Sequence, residues 1–125
     1  MATLEITKEN FDQTMDQNET VILDFWASWC GPCRMFGPTF EKVSGQFPGV
    51  VFGKVDTEAQ QELAAAFQVR SIPTLMVFRQ NTLIFEQAGA LPESALTELI
   101  QKIQTLDMGK IKQEIEASSP QGNIE

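Results

Sequence analysis

The chain has 125 residues, a length that suits one domain with its own buried core. Nine basic and seventeen acidic residues give a formal net charge of -8, which argues against nucleic acid or an anionic membrane as a partner. The first residues lack the basic and apolar regions of an export signal, and no segment has the length of a membrane span, so we expect a cytoplasmic protein.

The first part of the chain predicts a strand, a helix and a second strand. Residues 4–6 form a short strand, and Thr7 caps a helix that begins at Lys8. Phe11 and Met15, at i and i+4, form the buried side of this helix. The second strand, residues 21–27, is apolar on both faces apart from one residue, which is typical of a central strand covered on both sides.

That one residue is Asp24, which shares a strand face with Ile22 and Trp26. Burial there raises the pKa of a carboxyl group unless a cation or hydrogen bonds compensate. A buried acid that shares its proton, just before a pair of cysteines, is a candidate base for the proton of Cys33. The alternative is that Asp24 lies at the end of the strand and is solvated.

The two cysteines of the chain, Cys30 and Cys33, stand at the start of a second predicted helix, residues 34–47. The helix N-terminus favours a thiolate at Cys30, while Gly31 allows a tight turn and Pro32 suits the first helical position. The helix dipole contributes roughly 0.3–1 kcal/mol, less than one pKa unit, so the N–H of Cys33 is also needed as a donor. We therefore expect Cys30, at the exposed tip of the turn, to be the nucleophile and Cys33 the resolving thiol.

Other uses of a cysteine pair fit the sequence less well. A structural zinc site needs four ligands, and this chain has two cysteines and no histidine. Haem attachment needs a histidine after the second cysteine, where this chain has Arg34. A static disulfide stays open as an alternative, although so short a loop removes little entropy from the unfolded chain.

The second helix and the strand after it flank this cysteine pair. Pro38 lies inside the helix and should bend it. Residues 50–56 predict a strand with Lys54 near its end. Lys54 is either a solvated charge or the cation that reaches Asp24 and tunes proton transfer. The apolar stripe of the helix consists of Phe36, Phe40, Val43 and Phe47.

The second half predicts a helix, a hairpin and a last helix. Thr57 and Gln60 have the spacing of a capping box, and Pro92 opens the last helix. Residues 74–79 and 83–88 form a hairpin around a turn in which Asn81 adopts a left-handed conformation. The buried residues are Ala59, Leu63, Ala66 and Phe67 in the first helix and Leu96, Leu99, Ile100 and Ile103 in the last.

This order of elements predicts an α/β fold. The sheet is mixed, parallel at its centre and antiparallel at one edge, with helices on both faces. Because no G-x-G-x-x-G fingerprint occurs, reducing equivalents must come from another protein or a small thiol.

The end of the chain forms an extension, residues 107–125, beyond a domain of residues 1–106. Met108, Ile111 and Ile115, at i, i+3 and i+7, predict a helix within residues 106–117, and residues 118–125 are expected to be disordered. The apolar face of this helix either packs against its own domain or forms a partner site.

From about residue 3 to residue 105 the chain resembles the thioredoxin family. The motifs that carry the resemblance are residues 24–27 (DFWA), residues 29–35 (WCGPCRM), Pro38, Lys54, residues 71–74 (SIPT) and Gly89 with Ala90. The resemblance implies the thioredoxin fold, a five-stranded mixed sheet with four helices, here followed by a helical extension. Ser28, the turn without glycine at residues 80–82 and the extension depart from the family pattern.

The resemblance also implies roles for individual residues. Cys30 would attack a substrate disulfide and Cys33 would resolve the mixed disulfide, while Asp24 handles the proton of Cys33 beside the charge of Lys54. Pro73 resembles the family's cis proline, and Ile72 would offer backbone hydrogen bonds to an extended substrate. The residues that resemble the docking patch are Trp29, Gly31, Pro32, Ile72, Gly89 and Ala90.

The function implied is that of a monomeric protein-disulfide reductase without a bound cofactor or metal. Its redox-active disulfide would be reduced indirectly by NADPH through a thioredoxin reductase, and its substrates would be disulfide-containing proteins. A disulfide oxidase or isomerase is disfavoured by Gly31 and Pro32, which add no charge to stabilise the thiolate, and by the missing export signal. A protein that uses the fold only as a redox-inert binding surface is the other alternative.

Overall fold

A computed structural model gives the structure of residues 2–118. Within that range the chain forms five strands and five helices in an order close to the predicted one. The strands are β1 (Thr3–Glu5), β2 (Thr20–Trp26), β3 (Val51–Asp56), β4 (Thr74–Arg79) and β5 (Thr82–Ala88). The helices are α1 (Phe11–Gln17), α2 (Gly31–Ser44), α3 (Gln61–Ala66), α4 (Glu93–Gln104) and α5 (Met108–Ser118).

The strands form one mixed sheet in the order β1-β3-β2-β4-β5. Strands β1, β3 and β2 are parallel, whereas β4 pairs antiparallel with β2 and β5 pairs antiparallel with β4. The predicted fold class is confirmed, with one difference: the antiparallel part begins beside the central strand β2 and not only at the edge. The central strand therefore has its C-terminal end, and the loop that follows it, next to both halves of the sheet.

The sheet separates two hydrophobic cores. On one face, α2 and α4 bury residues that include Phe40 and Ile100 against Ile22, which is fully buried. On the other face, Met15 of α1 packs with Phe25 of β2. Burying an aliphatic or aromatic side chain of this size contributes roughly 1.5–3 kcal/mol to the free energy of folding. The two cores therefore fix the position of β2 from both faces of the sheet.

Helix α1 begins at Phe11, three residues later than predicted, although Thr7 forms hydrogen bonds of the kind that cap a helix. The Oγ1 atom of Thr7 accepts the N–H of Asn10 at 3.3 Å, and Oδ1 of Asn10 accepts the N–H of Thr7 at 2.8 Å. These two bonds close a turn over residues 7–10 that leads into the helix, because the N–H of Phe11 donates to the carbonyl oxygen of Thr7 at 3.0 Å.

The predicted capping box of α3 is wrong. The hydroxyl of Thr57 donates to the carbonyl oxygen of Trp26 at 3.0 Å, and the N–H of Gln60, which a capping box would bind, donates to the carbonyl oxygen of Asp56 at 2.8 Å. Asp56 takes that place by accepting the N–H groups of Glu58 and Ala59, and α3 begins only at Gln61. Of the predicted buried residues in this region, Leu63 and Phe67 are half-buried, whereas Ala59 and Ala66 are exposed.

Helix α2 ends at Ser44, so Phe47 packs against the core from the loop that follows. The predicted C-terminal helix is present as α5, in which Met108 is buried and Ile115 is exposed. Ser118 ends this helix and does not belong to a disordered tail, while residues 119–125 lie outside the described residues. The division of the chain at residue 106 stays a prediction. No helix among residues 2–118 is long and apolar enough to cross a membrane.

Candidate active site

The cysteine pair lies where β2 passes into α2. Cys30 is the N-cap of α2, and Gly31 and Pro32 form its first turn. Cys30 and Cys33 are joined by a disulfide bond, with their Cα atoms 5.2 Å apart. The backbone N–H of Cys33 donates to Sγ of Cys30 at 3.2 Å, which is the donor predicted from the sequence. A negative charge on Cys30 would be stabilised by this bond and by the positive end of the helix dipole.

Both sulfur-bearing residues are almost buried, with exposed fractions of 5% for Cys30 and 4% for Cys33. The prediction that Cys30 stands at an exposed tip is therefore wrong. The loop before β4 lies against it, since the Cys30 sulfur is 3.7 Å from the carbonyl oxygen of Ile72. The Ile72–Pro73 peptide bond in this loop is cis.

The surface beside the disulfide is mostly apolar. Trp29 is 66% exposed and Met35 is 79% exposed. The indole Nε1–H of Trp29 donates to Oε2 of Glu58 at 3.2 Å. Neither Met35 nor Glu58 was assigned a docking role from the sequence. Glu58 follows another strand 29 residues further on, so no local motif links it to Trp29.

The loop after β5 joins the same region. Gly89 has φ of +98°, a conformation that favours glycine, and its N–H donates to the carbonyl oxygen of Pro73 at 2.8 Å. Ala90 and Pro32 are exposed, whereas Gly31 and Ile72 are half-buried. Direct contacts thus connect Cys30 with Ile72 and Pro73 with Gly89.

Asp24 is 1% exposed and lies in the middle of β2, so it is not a solvated residue at a strand end. Within residues 2–118, neither of its carboxylate oxygens accepts a hydrogen bond. Burial raises the pKa of Asp24 from 3.8 to about 7, and the positive charge of Lys54 partly opposes this rise. Such a carboxyl group is able to take up or release a proton near neutral pH.

Lys54 is the neighbour of Asp24 in the register of the parallel strands β2 and β3, so both side chains lie on the same face of the sheet. Its Nζ atom lies 4.9 Å from the centre of the Trp26 ring, a cation–π contact. Lys54 is half-buried, and its charge is close enough to Asp24 to oppose the rise of the Asp24 pKa.

A cavity of about 360 Å³ that is open to solvent lies behind the disulfide, against Cys33. Cys33 and Lys54 both line it, together with Gly37 and Glu41 of α2. Cys33 and Lys54, the register neighbour of Asp24, therefore border one common space. Among residues 2–118, no group of three or more His, Cys, Asp or Glu side chains is placed to hold a metal ion.

Comparison with known proteins shows to which family this chain is similar. The family model named Thioredoxin matches residues 2–102. The putative thioredoxin 2 of Streptomyces coelicolor is 56% identical over 114 residues, which cover 91% of this chain and 85% of that protein. The thioredoxin of Mycoplasmoides gallisepticum is 37% identical, covering 74% of this chain and 93% of that protein.

A solved structure shows the same fold. A mutant thioredoxin from Halobacterium salinarum superposes with a TM-score of 0.78 at 34% identity, covering 84% of this chain and 93% of that one.

Proposed function

This chain belongs to the thioredoxin family and is a thiol-disulfide oxidoreductase, and we propose that Cys30 attacks substrate disulfides while Cys33 resolves the mixed disulfide. The observation that carries this assignment is the hydrogen bond from the N–H of Cys33 to Sγ of Cys30. This donor and the α2 N-terminus both act on Cys30, the N-cap residue, and so favour the thiolate there.

The reaction has two exchange steps. The Cys30 thiolate attacks one sulfur of a substrate disulfide, forms a mixed disulfide and releases the other substrate sulfur as a thiolate. Cys33 then loses its proton, attacks Sγ of Cys30 and releases the second substrate sulfur. The cysteine pair has given up two electrons and is now the disulfide, and the substrate has gained two thiols once its thiolates take up protons.

Asp24 is the proposed acceptor of the Cys33 proton, and Lys54 its charge partner. The support for this role is the raised pKa of Asp24, about 7, which matches proton exchange at neutral pH. Further support comes from the cavity, because Lys54, the register neighbour of Asp24, lines it together with Cys33.

The proposed docking surface surrounds the disulfide, and the backbone of Ile72 in it is available to a bound substrate. The contact between the Cys30 sulfur and the carbonyl oxygen of Ile72 supports this site, because a substrate segment that reaches the sulfur also passes the Ile72 backbone. The exposed ring of Trp29 supplies an apolar contact area. The full proposed set is Trp29, Gly31, Pro32, Ile72, Pro73, Gly89 and Ala90.

In the cell we propose that NADPH restores the dithiol through a thioredoxin reductase, and that the protein acts as a cytoplasmic monomer on disulfide-containing proteins. Support comes from the sequence, which lacks a dinucleotide fingerprint of its own, so that the electrons must come from a partner. Gly31 and Pro32 also add no charge that would stabilise the thiolate, which favours a reductant over an oxidant.

The test is reduction of insulin disulfides by dithiothreitol with and without the protein. We expect strong catalysis by the unaltered chain, a fall to the rate of dithiothreitol alone for Cys30→Ser, and a trapped mixed disulfide with insulin for Cys33→Ser. A mixed disulfide trapped by Cys30→Ser instead would reverse the two roles. Absence of catalysis by the unaltered, reduced chain would favour the redox-inert binding surface.

A further inference from the structure

The cavity behind the disulfide has a notch in its α2 wall. Cys33, Gly37 and Glu41 follow one another at i, i+4 and i+8 along α2, so they form one ridge of the helix. Gly37 leaves this ridge without a side chain in the middle. A Cβ atom built at Gly37 would lie 3.6 Å from Nζ of Lys54. The ammonium group of Lys54 therefore borders the gap between Cys33 and Glu41.

The carboxylate of Glu41 is fixed at the outer end of this notch. Its Oε1 atom accepts the hydroxyl of Thr3 at 2.7 Å, and its Oε2 atom accepts the N–H of Ala2 at 3.2 Å. The hydrogen bond from Thr3 is the largest of the effects that lower the pKa of Glu41 below its usual value, and the positive charges of the amino terminus and of Lys54 lower it further. Glu41 therefore carries its negative charge at every pH at which Asp24 titrates.

Lys54 thus has carboxylates on several sides. Asp24 on β2 and Glu5 on β1 are its two register neighbours on the sheet, and Glu41 faces the same cavity from α2. Arg34 of α2 also lines that cavity. Of the three acids, Asp24 is buried, Glu41 is half-buried and Glu5 is exposed, so solvent screens Glu5 most.

We propose that Glu41 is a positioning residue for the active site: its fixed negative charge draws the Lys54 ammonium into the Gly37 notch and so weakens the pairing of Lys54 with Asp24. Two effects of Glu41 have the same sign. Its charge repels a carboxylate at Asp24 directly, and it competes for the cation that would stabilise that carboxylate. Both effects hold the proton on Asp24 to higher pH.

The test is the titration of the Asp24 carboxyl carbon by NMR in the disulfide form of Glu41→Gln. Glutamine removes the charge but keeps one acceptor oxygen for the N–H of Ala2, while the Thr3 hydroxyl can accept a hydrogen bond from the new NH2 group. We expect the titration midpoint of Asp24 to move toward acid by roughly 0.3–1 pH unit. An unchanged midpoint, or one that moves toward alkali, would overturn the proposal.

The matched control is Glu93→Gln. Glu93 of α4 pairs with Lys42 of α2 at 3.1 Å, but it does not line the cavity. This variant also removes one negative charge and one contact of α2, so it reports general effects of charge and packing. A midpoint shift of the same size as in Glu41→Gln would contradict a specific role of Glu41.

A double variant tests the route through Lys54. In a Lys54→Met background, Glu41→Gln should move the Asp24 midpoint less than it does in the unaltered chain, because the competition for the cation is absent. A shift of undiminished size would overturn the role of Lys54. This inference uses the proposed function only for what Asp24 does in catalysis. If Asp24→Asn leaves insulin reduction unchanged, that role fails while the titration still decides the coupling.

Discussion

Asp24 and Lys54 are register neighbours on adjacent parallel strands, yet the charge of Lys54 only partly offsets the burial of the Asp24 carboxyl group. Neither oxygen of Asp24 accepts a hydrogen bond within residues 2–118, so the carboxylate form lacks the usual compensation for burial. The protein therefore keeps an acid in its core that costs folding free energy whenever it is ionised. Its retention is understandable if the proton on Asp24 is used at the disulfide.

The first prediction is that the free energy of unfolding of the disulfide form falls as pH rises. The folded pKa of Asp24, about 7, lies above the unfolded value of 3.8, so the folded chain binds the extra proton between these values. The loss should begin near pH 4 and be complete above about pH 7, and it should reach about 4 kcal/mol. Urea unfolding across this range measures it.

Asp24→Asn is the control for this pH dependence. It should remove the fall in stability and be more stable than the unaltered chain at alkaline pH, while differing less at acid pH. If the variant kept the full pH dependence, Asp24 would not be its source.

Sequence reasoning located the buried Asp24 and the cysteine pair better than it located the starts of the helices. Asp24 was identified because it interrupts an apolar strand, and the cysteine pair because of its spacing. The start of α1 was missed because a turn closed by Thr7 and Asn10 precedes the helix. The start of α3 was missed because Asp56, and not Thr57, accepts the N–H groups before it. The burial of Cys30 was missed because a loop distant in sequence lies against it.

The second prediction concerns Gly53, in the middle of β3. A Cβ atom there would lie 2.5 Å from Cγ1 of Ile6 and 3.0 Å from Cδ2 of Leu23, both buried. We expect Gly53→Ala to lower the free energy of unfolding by roughly 1–3 kcal/mol. Gly49→Ala is the matched control, because no atom lies within 4 Å of its added Cβ. Equal stability of the two variants in urea would contradict the crowding.

The third prediction concerns the hydrogen bond from Trp29 to Glu58. Glu58→Ala removes the acceptor and should let the exposed indole ring move, which we expect to raise the KM for insulin by a few fold and to change the tryptophan emission. Glu58→Gln keeps the length of the side chain and an acceptor oxygen, so its KM and its tryptophan emission should stay close to those of the unaltered chain. A KM that rises equally in both variants would point to the charge of Glu58 and not to the hydrogen bond.

The last prediction concerns Arg79, whose side chain is 12% exposed at the end of β4. Its Nη1 atom donates to the carbonyl oxygens of Ile103 and Leu106, and its Nη2 atom donates to Glu19. One guanidinium group thus joins the end of α4 and the segment leading to α5 to the body of the protein.

Lysine cannot reproduce this planar set of donors, so Arg79→Lys should lower the free energy of unfolding by about 2–3 kcal/mol. The control is Arg70→Lys, since Arg70 is exposed, and it should change stability by less than about 0.5 kcal/mol. Urea unfolding of both variants measures the difference, and equal values would show that the three acceptors contribute little.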